Sequence, residues 1–291
     1  MLAAVAGESF DVVHANDWMT FPAGLLVQEQ HEKPLLVHFH SCEAERRGAD
    51  GARDVHAIEQ AALDSAERIL CVSHGSAREL QRHYALESAK VRVLHNAFSP
   101  PDAPGGSLRP RAHGHDPVVL YLGRLAQQKG PDVFLEAAAR VHARLPRCRF
   151  VLGGEGELYP ELVARARELG LTRAVRFSGF LDGEALVEAY RGADVYVMPS
   201  AAEPFGISAL EALSLGVPTI VARGSGVTEV VRSVLRFDRG DAAGLAEKIV
   251  ALLERPALRS ALVATGLREV KNLRWDRPAR ALRAVYDEVS T

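Results

Sequence analysis

Short apolar runs alternate along the chain with longer stretches in which apolar residues recur at helical spacing. Val118–Leu122 and Val195–Met198 are apolar runs of strand length, and each is followed by a polar loop and then by a helical pattern. Such runs are typical of parallel strands that are covered on both faces, and the repeated strand–helix order is typical of α/β proteins. The pattern therefore predicts an α/β fold built on parallel sheets.

Two series of strand–helix units are separated by one stretch rich in proline and glycine, at residues 101–116. Clusters of these residues favour turns and linkers, so we place the domain boundary here. The pattern predicts one α/β domain at 1–100 and a second at 117–272. A last helical pattern, at 273–291, follows the second domain.

Composition narrows the class of protein further. Of the 291 residues, 47% are hydrophobic and 25% are charged, which is usual for a globular chain with a large core. The formal net charge of −2 gives no electrostatic reason to expect a nucleic-acid partner. The three scattered cysteines form no C-x-x-C pair, a distribution typical of a reducing compartment, and we expect a cytoplasmic protein.

The strand–loop–helix segment that begins at Val195–Met198 contains an informative pair of carboxylates. Glu203 lies in the polar loop after the strand, and Glu211 lies in the helix that follows. The loop is at the carboxyl end of a parallel strand, and the first turn of the helix presents backbone N–H groups. In an α/β sheet this is where an anion or a phosphate binds. The alternative is that both carboxylates are solvated at a helix end.

Seven residues separate the two carboxylates, in the order Glu203-Pro-Phe-Gly-Ile-Ser-Ala-Leu-Glu211. The segment resembles the E-x7-E motif of retaining GT-B glycosyltransferases, in particular family 4 with its glycogen-synthase-like members. The resemblance implies two Rossmann-like domains with a cleft between them, and a last helix that crosses back to the first domain. It also implies that the acceptor-side domain at 1–100 is truncated, because roughly three βα units of ~30 residues each are missing.

The same resemblance implies roles for the residues of this segment. Glu203 is expected near the transferred sugar, and Glu211 is expected to accept hydrogen bonds from two adjacent ribose hydroxyls. The backbone N–H groups of Phe205, Gly206 and Ile207 are expected to meet the phosphates. A nucleoside diphosphate sugar is therefore the expected donor.

A second motif, Gly123-Arg-Leu-Ala-Gln-Gln-Lys-Gly130, follows the first apolar run. It resembles the family's G-R-x-x-x-x-K-G phosphate loop, in which Arg124 grips the diphosphate bidentately and Lys129 acts as a point charge. Gly123 ends the strand and is expected among the donor-binding residues. No Asp-x-Asp occurs in the sequence, so a carboxylate-bound metal clamp has no candidate, and we expect neither a metal nor a cofactor. Two solvated loop cations are the alternative.

Two further glycine-rich turns follow predicted strands. Arg223-Gly-Ser-Gly-Val-Thr-Glu229 resembles the family's second glycine-rich turn, where Gly226 would let the backbone approach the donor; a plain strand-to-helix turn is the alternative. Gly153-Gly-Glu-Gly-Glu157 fails the G-x-G-x-x-G dinucleotide fingerprint and is interpreted as a tight turn. The family seats its nucleobase near the positions of Phe180 and Leu181.

In the N-terminal domain, His40 lies at the carboxyl end of the predicted strand Leu-Leu-Val-His-Phe-His. The family has a histidine there that contacts the transferred sugar. His38 shares the strand face, but a metal site would lack a third ligand at a sensible spacing; a structural histidine is the other alternative. The segment that begins at His40 resembles the family's H-S-T-E-x-x-R, which implies that Glu43 faces the acceptor.

Together these motifs predict a retaining, metal-independent hexosyltransferase that works by front-face displacement. The expected donor is UDP-glucose or ADP-glucose, because the His40 segment is glycogen-synthase-like, and GDP-mannose stays open. The expected acceptor is a glycan or another hydroxyl compound. The alternative is a catalytically inactive or split-protein fragment that binds a sugar nucleotide, and a GT-B sugar-nucleotide epimerase ranks lower because its acid and base are not recognisable. An unpaired sheet edge would also favour a missing N-terminal half or self-association.

Overall fold

The structure is a computed structural model that describes three stretches of the chain: 7–47, 51–101 and 115–290. It divides into two units, each built on its own parallel sheet. The N-terminal unit is formed by Met1–Ala97 together with Arg274–Thr291, and the C-terminal unit is Phe98–Leu273. Most of the predicted linker at 101–116 lies outside the described residues.

The N-terminal unit contains a four-stranded parallel sheet in the order β1-β2-β3-β4. Its strands are β1 (Val13–Asn16), β2 (Leu35–Phe39), β3 (Arg68–Cys71) and β4 (Val91–Val93). Its described helices are α1 (Asp17–His31), α2 (Glu43–Arg47), α3 (Arg53–Ser65), α4 (His74–His83) and, from the end of the chain, α11 (Asp276–Val289). Every residue of β2 is buried, as expected for a strand that is covered on both faces.

Helix α11 packs on one face of this four-stranded sheet. The helix packs against Leu36 of β2, Leu70 of β3 and Leu94, which directly follows β4. Four residues of the helix make these apolar contacts: Leu282, Val285, Tyr286 and Val289. The hydroxyl of Tyr286 lies 2.7 Å from Nδ1 of His14, and Glu288 accepts a hydrogen bond from Arg68 at 2.7 Å. The last helix of the chain is therefore part of the N-terminal unit.

The junction between β1 and α1 contains no loop, although Asn16 and Asp17 are residues that favour turns. β1 ends at Asn16 and α1 begins at Asp17, with no loop between them. Asp17 has a left-handed backbone with φ of +56°, an uncommon conformation for a residue other than glycine. The hydroxyl of Thr20 accepts the N–H of Asn16 at 2.7 Å and donates to its carbonyl oxygen, so the last residue of the strand is satisfied locally.

The C-terminal unit contains a six-stranded parallel sheet in the order β10-β9-β8-β5-β6-β7. Its strands are β5 (Val118–Leu122), β6 (Arg149–Gly153), β7 (Val175–Gly179), β8 (Val195–Met198), β9 (Thr219–Ala222) and β10 (Leu235–Phe237). Its helices are α5 (Pro131–Arg144), α6 (Tyr159–Glu168), α7 (Gly183–Gly192), α8 (Ile207–Ser214), α9 (Ala242–Glu254) and α10 (Pro256–Lys271). The chain runs outwards from β5 to β7 and then returns to the other side of β5 at β8. The topological switch point therefore lies between β5 and β8.

Buried strands and the helices that cover them form the core of the C-terminal unit. All residues of β8 and β9 are buried. Phe134 of α5, Phe150 of β6 and Ile249 of α9 belong to one core cluster. Within the three described stretches, none of the helices has the length and apolar character needed to cross a membrane.

Candidate functional site

The loops that follow β5 and β8 meet at the carboxyl edge of the six-stranded sheet, beside the switch point. Nζ of Lys129, in the first loop, lies 2.7 Å from Oε2 of Glu203 in the second. The hydroxyl of Ser200 donates to the same oxygen at 2.9 Å. The side chains of Lys129 and Glu203 are 27% and 11% exposed, so the ion pair is partly shielded from water. Two motifs that lie far apart in the sequence thus meet in one place.

Backbone contacts hold the same two loops together. The N–H of Ala201 donates to the carbonyl oxygen of Gln128 at 2.8 Å. Gly130 has φ of +64°, and a Cβ atom at this position would lie 2.4 Å from the carbonyl oxygen of Pro199. Glycine satisfies both the backbone angle and the lack of space. The glycine that ends the G-R-x-x-x-x-K-G pattern is therefore required by the approach of the β8 loop.

Arg124 is exposed at the start of the β5 loop. Its carbonyl oxygen accepts a hydrogen bond from the hydroxyl of Tyr121 at 2.9 Å. Burial raises the pKa of Tyr121 far above its usual range, so this hydroxyl keeps its proton and donates it. Arg124 and Gly123 line a cavity of about 350 Å³ together with Phe180 and Leu181. The predicted phosphate-loop arginine thus shares a cavity with the residues expected near the nucleobase.

The glycine-rich turn after β6 supports the β5 loop. Gly154 has φ of +131°, and a Cβ atom there would lie 2.0 Å from the carbonyl oxygen of Gly123. The N–H of Gly123 donates to the carbonyl oxygen of Gly153 at 3.0 Å. The N–H of Leu125 donates to the carbonyl oxygen of Glu155 at 2.8 Å. The turn is tight, as expected, and its backbone fixes the loop that presents Arg124.

The turn after β9 packs against the loop that contains Glu203. A Cβ atom at Gly226 would lie 2.0 Å from the carbonyl oxygen of Pro204. The N–H of Gly226 donates to the carbonyl oxygen of Glu203 at 3.0 Å. Gly226 is therefore needed where the two loops pack together, and a direct approach of the donor to this glycine stays a prediction.

Helix α8 begins next to the Glu203 loop. The residue before it, Gly206, has a left-handed backbone with φ of +104°. Phe205 is buried, whereas Ile207, the first residue of the helix, is 45% exposed. The N–H groups in the first turn of a helix have no acceptor within the helix and lie at the positive end of its dipole. The segment predicted to face the phosphates thus has the backbone geometry of an anion-binding helix start.

Glu211 lies in the second turn of α8 and is held by a residue of α7. The hydroxyl of Tyr190 donates to Oε2 of Glu211 at 2.7 Å, and Tyr190 itself is fully buried. Neither Tyr190 nor Ser200 was predicted from the sequence, because neither belongs to one of the motifs that mark the site. The available signal was that Tyr190 falls on the apolar face of α7, three residues after Val187, where a buried hydroxyl needs a partner.

In the N-terminal unit, His40 is exposed immediately after β2, at the carboxyl edge of the four-stranded sheet. Its backbone N–H donates to Oδ1 of Asp17 at 2.8 Å. Its ring Nε2 lies 3.3 Å from Oδ1 of Asn16. The junction between β1 and α1 thus positions the predicted sugar-contacting histidine through one carboxylate and one amide.

Three imidazole rings lie side by side on this unit. The ring centroids of His14 and His38 are 5.5 Å apart, and those of His38 and His40 are 4.5 Å apart. Burial, followed by the neighbouring His40 and His14, lowers the pKa of His38 from 6.5 to about 3. Burial also lowers the pKa of His14. The rings of His14 and His38 are therefore neutral near pH 7.

The expectation that Glu43 faces an acceptor is wrong. Glu43 lies in α2 and is only 5% exposed. Its carboxylate accepts hydrogen bonds from Nε of Arg46 at 3.1 Å and from the N–H of Ala52 at 2.9 Å. Arg46 also donates to the fully buried Glu59 at 3.1 Å. Buried carboxylates need such partners, and here the charges form a structural network inside the unit.

The sequence matches two groups of known proteins along most of its length. Residues 109–268, which are more than half of the chain, match Glycosyl transferases group 1. Residues 1–100 match Glycosyltransferase Family 4. The two matches meet in the region of the predicted linker.

Individual relatives agree with these matches. A glycogen synthase of Mycobacterium tuberculosis is 30% identical over 95% of this chain and 68% of its own length. A D-inositol 3-phosphate glycosyltransferase of Catenulispora acidiphila is 33% identical over 95% of this chain and 72% of its own length. The chain spans between 62% and 72% of the length of such relatives. Among solved structures, Anabaena HepE in complex with UDP and glucose shares the fold with a TM-score of 0.83 and 18% identity, over 99% of this chain and 80% of that chain.

Proposed function

We propose that this chain transfers a hexosyl group from a nucleoside diphosphate sugar to a hydroxyl group, with retention of configuration. The chain belongs to the glycosyl transferases of group 1 and is a glycosyltransferase of GT-B fold. One observation carries the proposal: the loop of Arg124 and Lys129, the loop of Glu203 and the start of α8 meet beside one switch point. A leaving diphosphate needs cations and N–H donors beside a group that holds the sugar, and this edge of the sheet brings together two cations, the start of a helix and the carboxylate of Glu203.

The diphosphate is proposed to bind between the β5 loop and the start of α8. Arg124 has the planar group that pairs bidentately with phosphate oxygens, and Lys129 supplies a second positive charge. The ion pair with Glu203, at 2.7 Å, supports this role because it keeps the ammonium group at the sheet edge. The N–H groups of Phe205, Gly206 and Ile207 complete the anion site. In this scheme these charges act in place of a metal ion.

The transferred sugar is proposed to be held by Glu203. For Glu203 the support is its fixed position, since Lys129 and Ser200 both donate to its Oε2. A sugar contact by His40, whose ring is exposed in the N-terminal unit, stays a prediction from its resemblance to the family's histidine. The bond from C1 to the diphosphate oxygen breaks, and the bond from C1 to the acceptor oxygen forms on the same face. The acceptor proton passes to the departing phosphate oxygen, which yields a nucleoside diphosphate and the glycosylated acceptor.

The nucleoside is proposed to place its ribose at Glu211 and its base in the cavity beside Phe180 and Leu181. UDP-glucose or ADP-glucose is the proposed donor, with GDP-mannose as the second choice, and a glycan or another hydroxyl compound is the proposed acceptor. UDP and glucose in the complex of Anabaena HepE, and glycogen synthase among the relatives, support glucose as the sugar.

Calorimetric titration with UDP, ADP and GDP tests the nucleotide site. We expect one of the three to bind, and we expect Arg124→Ala and Glu211→Ala to weaken that binding. Arg140→Ala is the matched control, because Arg140 is an exposed arginine of α5 in the same unit. Loss of affinity in the control to the same extent would remove the support for Arg124.

Transfer is then tested with the hexose donor that carries the bound nucleotide, and the anomeric configuration of the product is read by NMR. Retention of configuration is the expected result, and an inverted product contradicts the proposed mechanism. Binding of the nucleotide without any transfer would favour a sugar-nucleotide-binding protein instead. Binding of none of the three nucleotides would overturn the proposed function.

A further inference from the structure

The carboxylate of Glu211 has one oxygen held inside the unit and one oxygen left for a ligand. Oε2 accepts the hydroxyl of Tyr190 at 2.7 Å. Among the residues that the structure describes, none donates a hydrogen bond to Oε1. Glu211 is partly exposed, whereas Tyr190 is fully buried in α7. The carboxylate is therefore anchored from behind while one oxygen can reach a ligand.

The hydroxyl of Tyr190 is a donor in this contact. Burial, and then the neighbouring Tyr196 and Glu211, raises the pKa of Tyr190 well above its usual value, so the hydroxyl keeps its proton. Its single proton has two acceptors in range, Oε2 of Glu211 at 2.7 Å and the carbonyl oxygen of Ser208 at 3.0 Å. An ionised carboxylate is the stronger acceptor of the two. The shorter bond to Glu211 agrees with that preference.

We infer that Tyr190 is a positioning residue that turns the carboxylate of Glu211 toward two adjacent ribose hydroxyls and so gives the site its preference for ribonucleotides over 2′-deoxyribonucleotides. The inference rests on the proposed function of Glu211 and adds the residue that makes this carboxylate selective. A carboxylate free to rotate would lose hydrogen bonds to one hydroxyl or both, because Oε1, which can accept two hydrogen bonds, must be aligned with both hydroxyls.

A second buried tyrosine of the same cluster provides a matched control. Tyr196, in β8, packs against Tyr190 with ring centroids 5.6 Å apart. Its hydroxyl lies 2.8 Å from Oγ of Ser208, in the first turn of α8. Tyr190→Phe and Tyr196→Phe therefore each remove one buried hydroxyl that contacts α8. Only the first removes a contact to the carboxylate of Glu211.

The test compares dissociation constants of UDP, ADP and GDP with those of their 2′-deoxy analogues, using whichever pair binds the full chain. A hydrogen bond to a charged group predicts that the unmodified protein prefers the ribonucleotide by on the order of tenfold to a hundredfold. Glu211→Gln should bring this ratio close to one. Tyr190→Phe should lower it several-fold, mostly by weakening ribonucleotide binding. Tyr196→Phe should lower the melting temperature to a similar extent and leave the ratio unchanged.

Glu211→Asp provides a second route to the same answer if Tyr190→Phe does not fold. It keeps the charge but shortens the side chain by one methylene group, so the carboxylate withdraws from Tyr190, and the ratio should fall as it does in Tyr190→Phe. If Tyr190→Phe keeps the preference for the ribonucleotide while Glu211→Gln abolishes it, the positioning role of Tyr190 is overturned and the proposed function stays intact. A normal ratio in Glu211→Gln overturns the proposed ribose contact, and the role of Tyr190 with it.

Discussion

Gly226→Ala adds one methyl group where the turn after β9 meets the loop of Glu203. The new Cβ atom would lie 2.0 Å from the carbonyl oxygen of Pro204, whereas real Cβ atoms essentially never come within 3.0 Å of such a neighbour. A backbone carbonyl cannot rotate aside as the end of a flexible side chain can. The turn, the Pro204 segment or both must therefore move by about 1 Å.

This displacement should affect stability and activity to different extents. Overpacking of this kind typically destabilises a fold by about 1–3 kcal/mol. The hydrogen bond from the N–H of Gly226 to the carbonyl oxygen of Glu203 would be stretched as well, at a net cost of about 1 kcal/mol. Misplacing a group that contacts the substrate by about 1 Å can lower the rate about 100-fold. We therefore expect a protein that still folds but transfers the sugar about two orders of magnitude more slowly.

The assay combines thermal unfolding, nucleotide titration and sugar transfer on two glycine variants. Gly192→Ala is the control, because Gly192 has ordinary backbone angles and a Cβ atom there would meet nothing within 4 Å. It should be neutral or slightly stabilising. If Gly226→Ala matched this control in all three measurements, the crowding argument would be refuted. If it melted lower but transferred sugar at the normal rate, the turn would not be what fixes Glu203.

Three other features of the structure should each have a smaller effect on the free energy of unfolding. His38→Phe should make the stability of the protein less sensitive to acid. The pKa of His38 in the folded protein, about 3, lies below the usual 6.5. The stability that the neutral ring contributes is therefore present above pH 6.5 and is lost as the pH falls toward 3. At pH 5 this loss is about 2 kcal/mol, and an unchanged difference between denaturant unfolding at pH 7 and pH 5 would contradict it. A double-mutant cycle of Lys129→Met and Glu203→Gln should give a coupling free energy of unfolding of about 1 kcal/mol or less. Because the ion pair is partly exposed, this coupling should become smaller at high salt. A coupling that does not change with salt would argue against an ion pair. Tyr286→Phe removes the hydrogen bond to His14 and should lower the free energy of unfolding by about 1 kcal/mol, whereas an unchanged denaturation midpoint would show that the contact contributes nothing.

The strands that are buried on both faces were the easiest part of the fold to predict. The apolar runs at Val118–Leu122 and Val195–Met198 are strands in the structure with the same limits. A strand without a solvent face has no polar positions inside it, so its ends stand out against polar loops. The edge strand β1 was harder, because its residues are only partly buried. Its end was also hidden, because Asn16 and Asp17 are typical turn residues and yet form a direct strand-to-helix junction.

The motifs identified residues of the candidate site, but not the contacts that hold them. Lys129 and Glu203 were expected at one edge of a sheet, and the structure joins them directly. The contact of Tyr190 with Glu211 depends on how α7 packs beside α8, and no spacing in the sequence encodes that distance. The prediction for Glu43 was wrong for a related reason. A carboxylate in a charged segment is usually solvated, and its burial becomes visible only when its partners are brought around it by the fold.

Three glycines of the C-terminal unit allow the loops of the candidate site to pack closely, backbone against backbone. At Gly130, Gly154 and Gly226 an added Cβ atom would come within 2.4 Å of a carbonyl oxygen in a neighbouring loop. Loops that touch backbone to backbone cannot shift one at a time without such collisions. The backbone around the proposed diphosphate site is therefore held in place before a ligand binds. Groups fixed in advance around developing charge are what transition-state stabilisation requires, because they need no rearrangement at the moment of reaction.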